Sequence, residues 1–380
     1  MRKVIVIGGV HHNTLGVIRS LGYQGIRPYV ICTTTEKDPY ILHSQYIKQF
    51  WIMREDKLVD FLVCTFHDEE EKPIIIACAD SLASLLDVNL NLLREYFLLP
   101  GSSVQGRLTK FMDKETMRNQ AIQSGFLTPD SVVADLRSNT EIHLPFPWII
   151  KPLVSKNGSK TDIRRIYNQQ DWRQYKQEMH YEYVQVQKLI DKDFEYQLIG
   201  CSLSGGTILI IPGVARCINP SKVTNTGFLH YEPLDGWNLP IESCRKFMKA
   251  VGYEGLFSME FLRGKDGKDY FMETNFRNDG NAICVTASGV NLPMIWVKYK
   301  SGENINELNS IVCKSVYANP EFNDFYLMAT RQISFSAWLR DIKNTDVFME
   351  FDGTDPKPFF VLLRQYFIHC IKRVLHFKIN

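Results

Sequence analysis

The sequence of 380 residues has no paired-cysteine motif, although it contains nine cysteines. They are scattered along the chain, their number is odd, and no two of them form a C-x-x-C pair. Such a set argues against a disulfide framework and against a zinc ribbon. It is typical of buried or inert thiols in a reducing compartment.

Long apolar runs and an excess of one charge are also missing. No stretch offers about 18 uninterrupted apolar residues, so we expect no membrane-spanning helix. The apolar run at 4–7 lacks the length and the cleavage site of a signal peptide, which predicts a cytoplasmic protein. The formal net charge of +2 gives no general attraction to nucleic acid or to membranes.

Several catalytic signatures are absent as well. We find no G-x-S-x-G elbow, no H-E-x-x-H helix and no Walker A sequence. The loop at 8–13 lacks the full G-x-G-x-x-G spacing of a dinucleotide site. A hydride-transferring Rossmann enzyme therefore stays only as an alternative, which a lack of NAD binding would dismiss.

What is present is a regular alternation of short apolar strands and helices in the first hundred residues. We predict strands at 4–7, 28–32 and 73–77, and helices at 11–21, 58–64 and 84–97. This order predicts a doubly wound parallel sheet with a ligand crevice at the carboxyl ends of its strands. The loop at 8–13 and Asp80 lie at those ends.

The rest of the chain is richer in antiparallel patterns, and its length suits two or three packed domains. We predict helices at 110–124, 171–179 and 240–251, strands at 148–151 and 183–189, and hairpins over 195–214 (strands 195–201 and 207–214) and 256–274. We therefore divide the chain into an N-terminal α/β domain (1–105), a central subdomain (106–189), a third subdomain (190–302) and a C-terminal helical extension (303–380).

The strongest chemical signal lies in the second of these hairpins. Glu273 and Asn275 are two residues apart on a strand, so they share a face, and the turn brings Glu260 beside them. Three hard oxygen ligands with two negative charges suit Mg²⁺. Arg277 shares that face and could grip a phosphate or an oxyanion. The alternative, a surface hairpin with solvated acids, fits poorly because the neighbouring residues are strongly apolar.

The E-F…E-x-N-x-R arrangement resembles the metal-binding end of the ATP-grasp superfamily, over residues 1 to about 300. The resemblance implies an α/β and α+β fold, in which an N-terminal doubly wound parallel-sheet domain precedes two α+β subdomains that clasp ATP. It implies an ATP-dependent ligase that forms an acyl phosphate and a C–N bond. Glu260, Glu273 and Asn275 would hold two Mg²⁺ ions, which Mn²⁺ could replace, and Arg277 would stabilise the transferred phosphate.

The same resemblance assigns phosphate contacts to three further residues. Lys114, within M-D-K-E-T-M, and Lys151, within P-W-I-I-K-P, match lysines that reach ATP. Ser159 lies in the loop 157–160, in the place of a flexible loop that covers phosphate. The alternatives are a surface lysine at 114 and a plain turn at 157–160.

Nucleoside contacts follow from the next strand. By the resemblance, adenine would pair with the backbone of a hinge formed by Gln187, Lys188, Leu189 and Ile190. Many relatives carry Glu where Gln187 stands, which leaves that side-chain contact open. Glu195 would accept ribose hydroxyls, with Asp193 as its rival. Arg216 would approach the γ-phosphate or the acyl phosphate, Lys222 would assist it, and the polar stretch 219–230 could cover the site.

The substrates are less clear from the sequence. In relatives the first domain often helps to bind the substrate, so His12, Asn13 and Asp80 are candidate contacts. The alternative for the loop at 8–13 is a strand-to-helix turn that needs glycine for steric reasons. We expect a small-molecule carboxylate and an amine as substrates, with amino acids among the candidates, and a homodimer is one expected assembly. Within the superfamily, the sequence most resembles the carbamoyl-phosphate-synthase-like and D-aspartate-ligase-like members.

Two questions stay open at this point. The first is the terminal helix predicted at 357–378, which has a broad apolar face with Arg364, Lys372 and Arg373 off it. Packing in a core or in an interface such as a homodimer is one interpretation, and a basic amphipathic helix on a membrane surface is the other. The second is function, where a small-molecule phosphoryl transferase and a non-catalytic nucleotide-binding regulator are the alternatives to a ligase.

Overall fold

In a computed structural model, the protein is described over residues 2–137, 142–153, 163–179, 181–219, 227–304 and 313–376, with side chains up to residue 369. The first hundred residues form a parallel sheet with the strand order β3-β2-β1-β4. Its elements are β1 (Val4–Gly8), α1 (His12–Gly22), β2 (Tyr29–Thr33), β3 (Gln49–Met53), α2 (Leu58–Phe66), β4 (Ile74–Ala77), α3 (Asp80–Val88) and α4 (Leu90–Leu93).

The doubly wound sheet is confirmed, with two differences in detail. Strand β3 was not predicted. The single helix predicted at 84–97 is wrong, because α3 begins at Asp80 and ends at Val88. The Asn89 side chain donates to the carbonyl oxygen of Leu85 at 2.9 Å and closes the helix there.

The central part of the chain folds into a small antiparallel sheet with the order β5-β8-β6-β7. Its elements are α5 (Arg107–Phe111), α6 (Lys114–Gln123), β5 (Ser131–Asp135), β6 (Trp148–Pro152), β7 (Arg164–Ile166), α7 (Gln169–Glu178) and β8 (Tyr183–Lys188). The helix predicted at 110–124 is interrupted before Lys114. Asp113 has extended backbone and accepts from the Thr116 N–H at 2.8 Å, so it caps a new helix.

The third part is built on an eight-stranded sheet with the order β14-β13-β9-β11-β12-β15-β16, in which β10 pairs with β9. Its elements up to residue 300 are β9 (Lys192–Leu203), β10 (Ile208–Ile210), β11 (Gly213–Asn219), β12 (Phe228–Pro233), α8 (Ile241–Val251), β13 (Gly255–Gly264), β14 (Asp269–Asn275), α9 (Ile283–Ala287) and α10 (Leu292–Lys300). The strand predicted at 207–214 is divided at Pro212, which has no N–H to donate. Residues 228–230, predicted as part of a covering loop, begin β12.

Two strands of this sheet come from the segment after residue 303, which is therefore not helical throughout. The segment contains β15 (Val316–Asn319), α11 (Glu321–Ala329), α12 (Phe335–Lys343), β16 (Val347–Phe348) and α13 (Lys357–His376). Strand β15 pairs with β12, and β16 pairs with β15 in parallel. The domain boundaries given above stay predictions.

Helices α1, α9 and α10 lie between the parallel sheet and the eight-stranded sheet and share one core with both. The buried Trp296 of α10 donates its indole N–H to the carbonyl oxygen of Ile75 at 3.1 Å, which ties the two sheets together. The opposite face of the large sheet packs on α5, α6 and α8. Within the described part of the chain, no helix is both long and apolar enough to span a membrane.

The C-terminal segment closes over the first helix. Arg19 of α1 is fully buried and its Nε lies 3.1 Å from the Asp355 carboxylate. Its Nη2 donates to the carbonyl oxygens of Glu350 and Asp355, both at 2.9 Å. A buried guanidinium needs this complete set of partners, so residues 350–355 are held firmly on the first domain.

The turn between β1 and α1 is tight at Gly8 and open at Gly9. A Cβ at Gly8 would lie 2.2 Å from Oγ1 of Thr14, whereas at Gly9 the nearest atom is 4.0 Å away. Thr14 cannot easily move, because its hydroxyl donates to the carbonyl oxygen of Gly9 at 2.9 Å. The glycine predicted here for steric reasons is therefore required at position 8.

We expect Gly8→Ala to lower the free energy of unfolding by about 1–3 kcal/mol, because the added methyl group overpacks the turn. Gly9→Ala is the matched control and should change it by less than about 0.5 kcal/mol. Urea denaturation of both variants measures the difference. Equal stabilities of the two variants would contradict the assignment of the tight contact to Gly8.

Candidate functional site

Two carboxylates face each other on neighbouring strands near one edge of the large sheet. Glu260 of β13 pairs with Glu273 of β14, and Ser258 pairs with Asn275. Because side chains alternate along a strand, these four lie on one face. The predicted hairpin is thus confirmed, and it brings Glu260, Glu273 and Asn275 together.

Strand β9 extends this row on the other side of β13, where Gln197 is opposite Glu260. The side-chain amides of Gln197 and Asn275 donate to Oε1 of Glu260 at 3.2 Å and 3.1 Å. Burial, followed by the nearby charge of Glu273, raises the pKa of Glu260 to about 8. The row is therefore a place where negative charge is crowded and a cation would be stabilised.

The donor set fits Mg²⁺. Across the residues that the structure describes, no group of three or more His, Cys, Asp and Glu side chains is arranged to hold a metal ion by itself. Two facing carboxylates with one amide are instead a partial set, which is what Mg²⁺ uses when water and phosphate oxygens complete its octahedron. Glu260, Glu273 and Asn275 are the residues that could hold it.

Two half-buried lysines lie close to these acids. Lys114, at the start of α6, donates to the carbonyl oxygen of Pro152 at 3.2 Å, and Lys151 on β6 donates to Oε1 of Gln187 at 3.2 Å. Burial lowers the pKa of both lysines, and the charge of Glu273 is the largest effect that opposes it. The structure therefore brings Lys114, Lys151 and Glu273 into one electrostatic cluster between the two sheets.

The predicted hinge begins with the last two residues of β8, Gln187 and Lys188. Gln187 is buried, and its Oε1 accepts from Nζ of Lys151. The N–H groups of Lys188 and Leu189 donate to Asp130 and Pro147 at 2.8 Å and 2.9 Å. Among the described residues, the Ile190 N–H has no backbone acceptor.

A cleft of about 310 Å³ adjoins this hinge, and it is lined by Lys192, Asp193, Phe194, Glu195, Arg216, Cys217 and Ile218. Lys192 donates to Glu195 at 2.8 Å, and the guanidinium of Arg216 lies 5.7 Å from the centre of the Phe194 ring. Glu195 and Asp193 both line this cleft, so which of them would contact a ribose stays a prediction. Arg216 lies within β11, not after a strand as predicted.

Arg277 joins the large sheet to the first domain. Its Nε and Nη2 lie 3.3 Å from the two carboxylate oxygens of Asp80, and its Nη1 lies 3.3 Å from Asp279. Burial by itself would lower the pKa of Arg277, but Asp80 and Asp279 raise it above its usual value. Asp80 is thus held in place by Arg277 at the first turn of α3.

The loop at 8–13 is also connected across this junction. The Asn13 side chain is buried, and it donates to the carbonyl oxygens of Cys78 and Asn278 at 2.9 Å and 2.8 Å. His12 contacts Glu350 through Nδ1 at 3.2 Å, while its Nε2 has no partner among the described residues. Burial lowers the pKa of His12 to about 4, so its ring is neutral at physiological pH.

The sequence analysis missed three residues of this network. Asp279 accepts from the Ser258 hydroxyl at 2.7 Å, and Asn281 donates to Gln197 at 2.8 Å. Gln197 is two residues from Glu195, so alternation along the strand could have found it. Asp279 and Asn281 follow β14 in a loop, where no periodicity indicates a direction. Ser159 and Lys222 lie outside the described residues.

No family model matches the chain, and no curated protein matches it in a sequence search. Solved structures do match it. An L-amino acid ligase from Bacillus licheniformis is 14% identical with a TM-score of 0.63, covering 83% of this chain and 79% of its own. An N5-carboxyaminoimidazole synthetase from Staphylococcus aureus is 14% identical with a TM-score of 0.65, and the match covers 89% of this chain and 87% of that one.

A third similar structure is the biotin carboxylase domain of a 2-oxoglutarate carboxylase from Hydrogenobacter thermophilus, in complex with MgADP and bicarbonate. It is 16% identical with a TM-score of 0.63, and the match covers 83% of this chain and 74% of that one. These proteins are ATP-grasp enzymes, and the likeness shows that this chain has the ATP-grasp fold. The fold that the sequence resemblance implied is confirmed.

The crowding of Glu260 and Glu273 has a measurable cost in stability. Because the pKa of Glu260 is raised from 4.5 to about 8, its charged form destabilises the folded protein increasingly as the pH rises through that range. We expect Glu260→Gln to raise the free energy of unfolding in EDTA, by on the order of 1 kcal/mol at about pH 8.5 and by less at about pH 5. Urea denaturation at both values measures the gain.

The exposed Glu95 provides the control, and Glu95→Gln should have little effect at either pH. A Glu260→Gln variant that is no more stable than the wild type at high pH would show that the two carboxylates do not repel each other.

Proposed function

We propose that the chain is an ATP- and magnesium-dependent ligase, which activates a carboxylate as an acyl phosphate and joins it to an amine. The observation that carries this proposal is the convergence of Glu260 and Glu273 with the half-buried Lys114 and Lys151 between two sheets. Carboxylates for a metal beside ammonium groups for phosphate are what a metal-bound triphosphate requires. The fold shared with an L-amino acid ligase and with an enzyme domain bound to MgADP supports it.

In this proposal the nucleotide lies between the small and the large sheet. Adenine pairs with the hinge formed by Gln187, Lys188, Leu189 and Ile190, and Glu195 accepts the ribose hydroxyls. Lys114 and Lys151 contact the phosphates, and Ser159 covers them. Glu260, Glu273 and Asn275 hold Mg²⁺, in the form of one or two ions, or Mn²⁺ in its place.

The chemistry follows from charge. A carboxylate oxygen of the substrate attacks the γ-phosphorus and ADP leaves, and then the amine nitrogen attacks the acyl carbon and phosphate leaves. Bound magnesium would withdraw negative charge from the phosphate oxygens. Lys114, Lys151, Arg216 and Arg277 neutralise the remaining repulsion and keep the reacting groups in line. Lys222 assists Arg216.

The substrates enter, in this proposal, at the ends of β1 and β4. His12 and Asp80 lie at this crevice beside Arg277, and Asn13 holds its two walls together. His12 is neutral and offers Nε2 towards Gly280, whose added Cβ would lie 3.2 Å from that atom. Amino acids are the substrate class to try first, because they carry both the carboxylate and the amine.

The proposal is tested by mixing the purified protein with ATP, Mg²⁺ and pooled L-amino acids, D-amino acids and dipeptides. We expect release of ADP and phosphate that requires the pool. Glu273→Ala should reduce this release by about 100-fold or more, because the metal loses one of its two charged ligands. Glu95→Ala, an exposed acid remote from the site in sequence, should leave it unchanged.

Other outcomes separate the alternatives. ADP release that needs no amine would indicate phosphoryl transfer without ligation. Magnesium-dependent ATP binding that is lost in Lys151→Met but gives no turnover with any pool would favour a nucleotide-binding regulator. A protein that does not bind ATP at all would contradict the proposal.

A further inference from the structure

The C-terminal part of the chain exposes large apolar side chains. On α13, Phe360 and Phe367 are 57% and 66% exposed, and Leu363 lies between them. These three residues are three and four positions apart, so they form one stripe along the helix. The other side of α13 is covered, since Val361 and Leu362 pack against the main core. The helix is therefore anchored on one face and open on the other.

Helices α11 and α12 continue this exposed surface. Phe335 on α12 and Phe325 on α11 are 63% and 51% exposed, and Leu339 is exposed as well. Ring contacts connect the three helices through Phe359–Phe360, Phe322–Phe359, Phe322–Tyr366, Phe325–Trp338 and Phe335–Trp338. We name this set the C-terminal aromatic surface, with the exposed members Phe325, Phe335, Leu339, Phe360, Leu363 and Phe367.

Charge is segregated around this surface. Most of the acids of residues 321–369 are turned inward, and the buried ones are Asp324, Asp341, Glu350 and Asp355. The basic residues are turned outward, and the exposed ones are Arg331, Arg340, Lys343, Lys357 and Arg364. Asp346 is the exposed acid of this segment, and Arg364 also contacts Asp38 of the first domain at 3.1 Å. From residue 357 onward the sequence has five basic residues and no acidic one.

We propose that the C-terminal aromatic surface binds to the surface of a membrane that contains anionic lipids. Exposed Phe and Leu side chains can enter the boundary between head groups and acyl chains, and the outward Lys and Arg side chains can pair with lipid phosphates. The segregation of charge favours this occupant over a second copy of the chain, since two such basic surfaces would repel each other. The inference does not depend on the proposed enzymatic function.

The test is co-sedimentation of the full chain with vesicles of phosphatidylcholine alone or with about one third phosphatidylglycerol. We expect binding to the anionic vesicles, weakened several-fold when salt is raised to about 0.5 M, where charges are screened. The double variant Phe360→Asp, Phe367→Asp should bind at least about tenfold more weakly, because it loses two inserting rings. Lys343→Glu with Lys357→Glu should weaken binding to anionic vesicles only.

The matched control is Leu92→Asp, because Leu92 of α4 is a similarly exposed leucine at 48%. It should bind vesicles as the wild type does, and thermal unfolding checks that all variants are folded. Absence of binding to anionic vesicles at low salt would overturn the proposal. A wild-type dimer that Phe360→Asp, Phe367→Asp converts to a monomer, without vesicle binding, would also overturn it and would assign the surface to a second copy.

Discussion

The repulsion between Glu260 and Glu273 is the constraint on which the rest of the site depends. Strand pairing sets these two carboxylates opposite each other, and burial removes the water that would otherwise screen them. Amides from Gln197 and Asn275 offset part of the cost, and the ammonium groups of Lys114 and Lys151 lie near enough to act on it. In the proposed function, positive charge that arrives with the ligand offsets the rest of this cost.

Because paired strands place their side chains next to each other, a few neighbouring elements are enough to build this site. One hairpin supplies the acids, the neighbouring strand β9 supplies an amide, and the small sheet supplies a lysine from β6. Arg277, immediately after β14, then fixes the first domain through two contacts with Asp80. The row of Glu260 and Glu273 and the crevice of the parallel sheet are thereby held in a fixed relation, as the proposed reaction between two bound molecules would need.

Much of this was predictable where strand periodicity carried the information. Alternation placed Glu273 and Asn275 on one face, and the turn signal brought in Glu260, so the convergence of these three side chains followed from spacing alone. The ATP-grasp fold followed from a resemblance that those residues carry. By contrast, Asp279, Asn281 and Glu350 lie in loops or after short strands, where partners are chosen by tertiary packing. The addition of β15 and β16 to the sheet was missed for the same reason, since strands of four and two residues carry little pattern.

The closure of the C-terminal segment over α1 also bears on how the chain folds. Arg19 and Asp355 are 336 residues apart, yet each is buried against the other. During synthesis the first domain can form its sheet early, but its buried guanidinium waits for a partner that emerges more than three hundred residues later. Until then the guanidinium of Arg19 must stay hydrated, so the packing around α1 stays incomplete. The contacts of α1 with residues 350–355, although half of them belong to the start of the chain, therefore complete only after the end of the chain has been made.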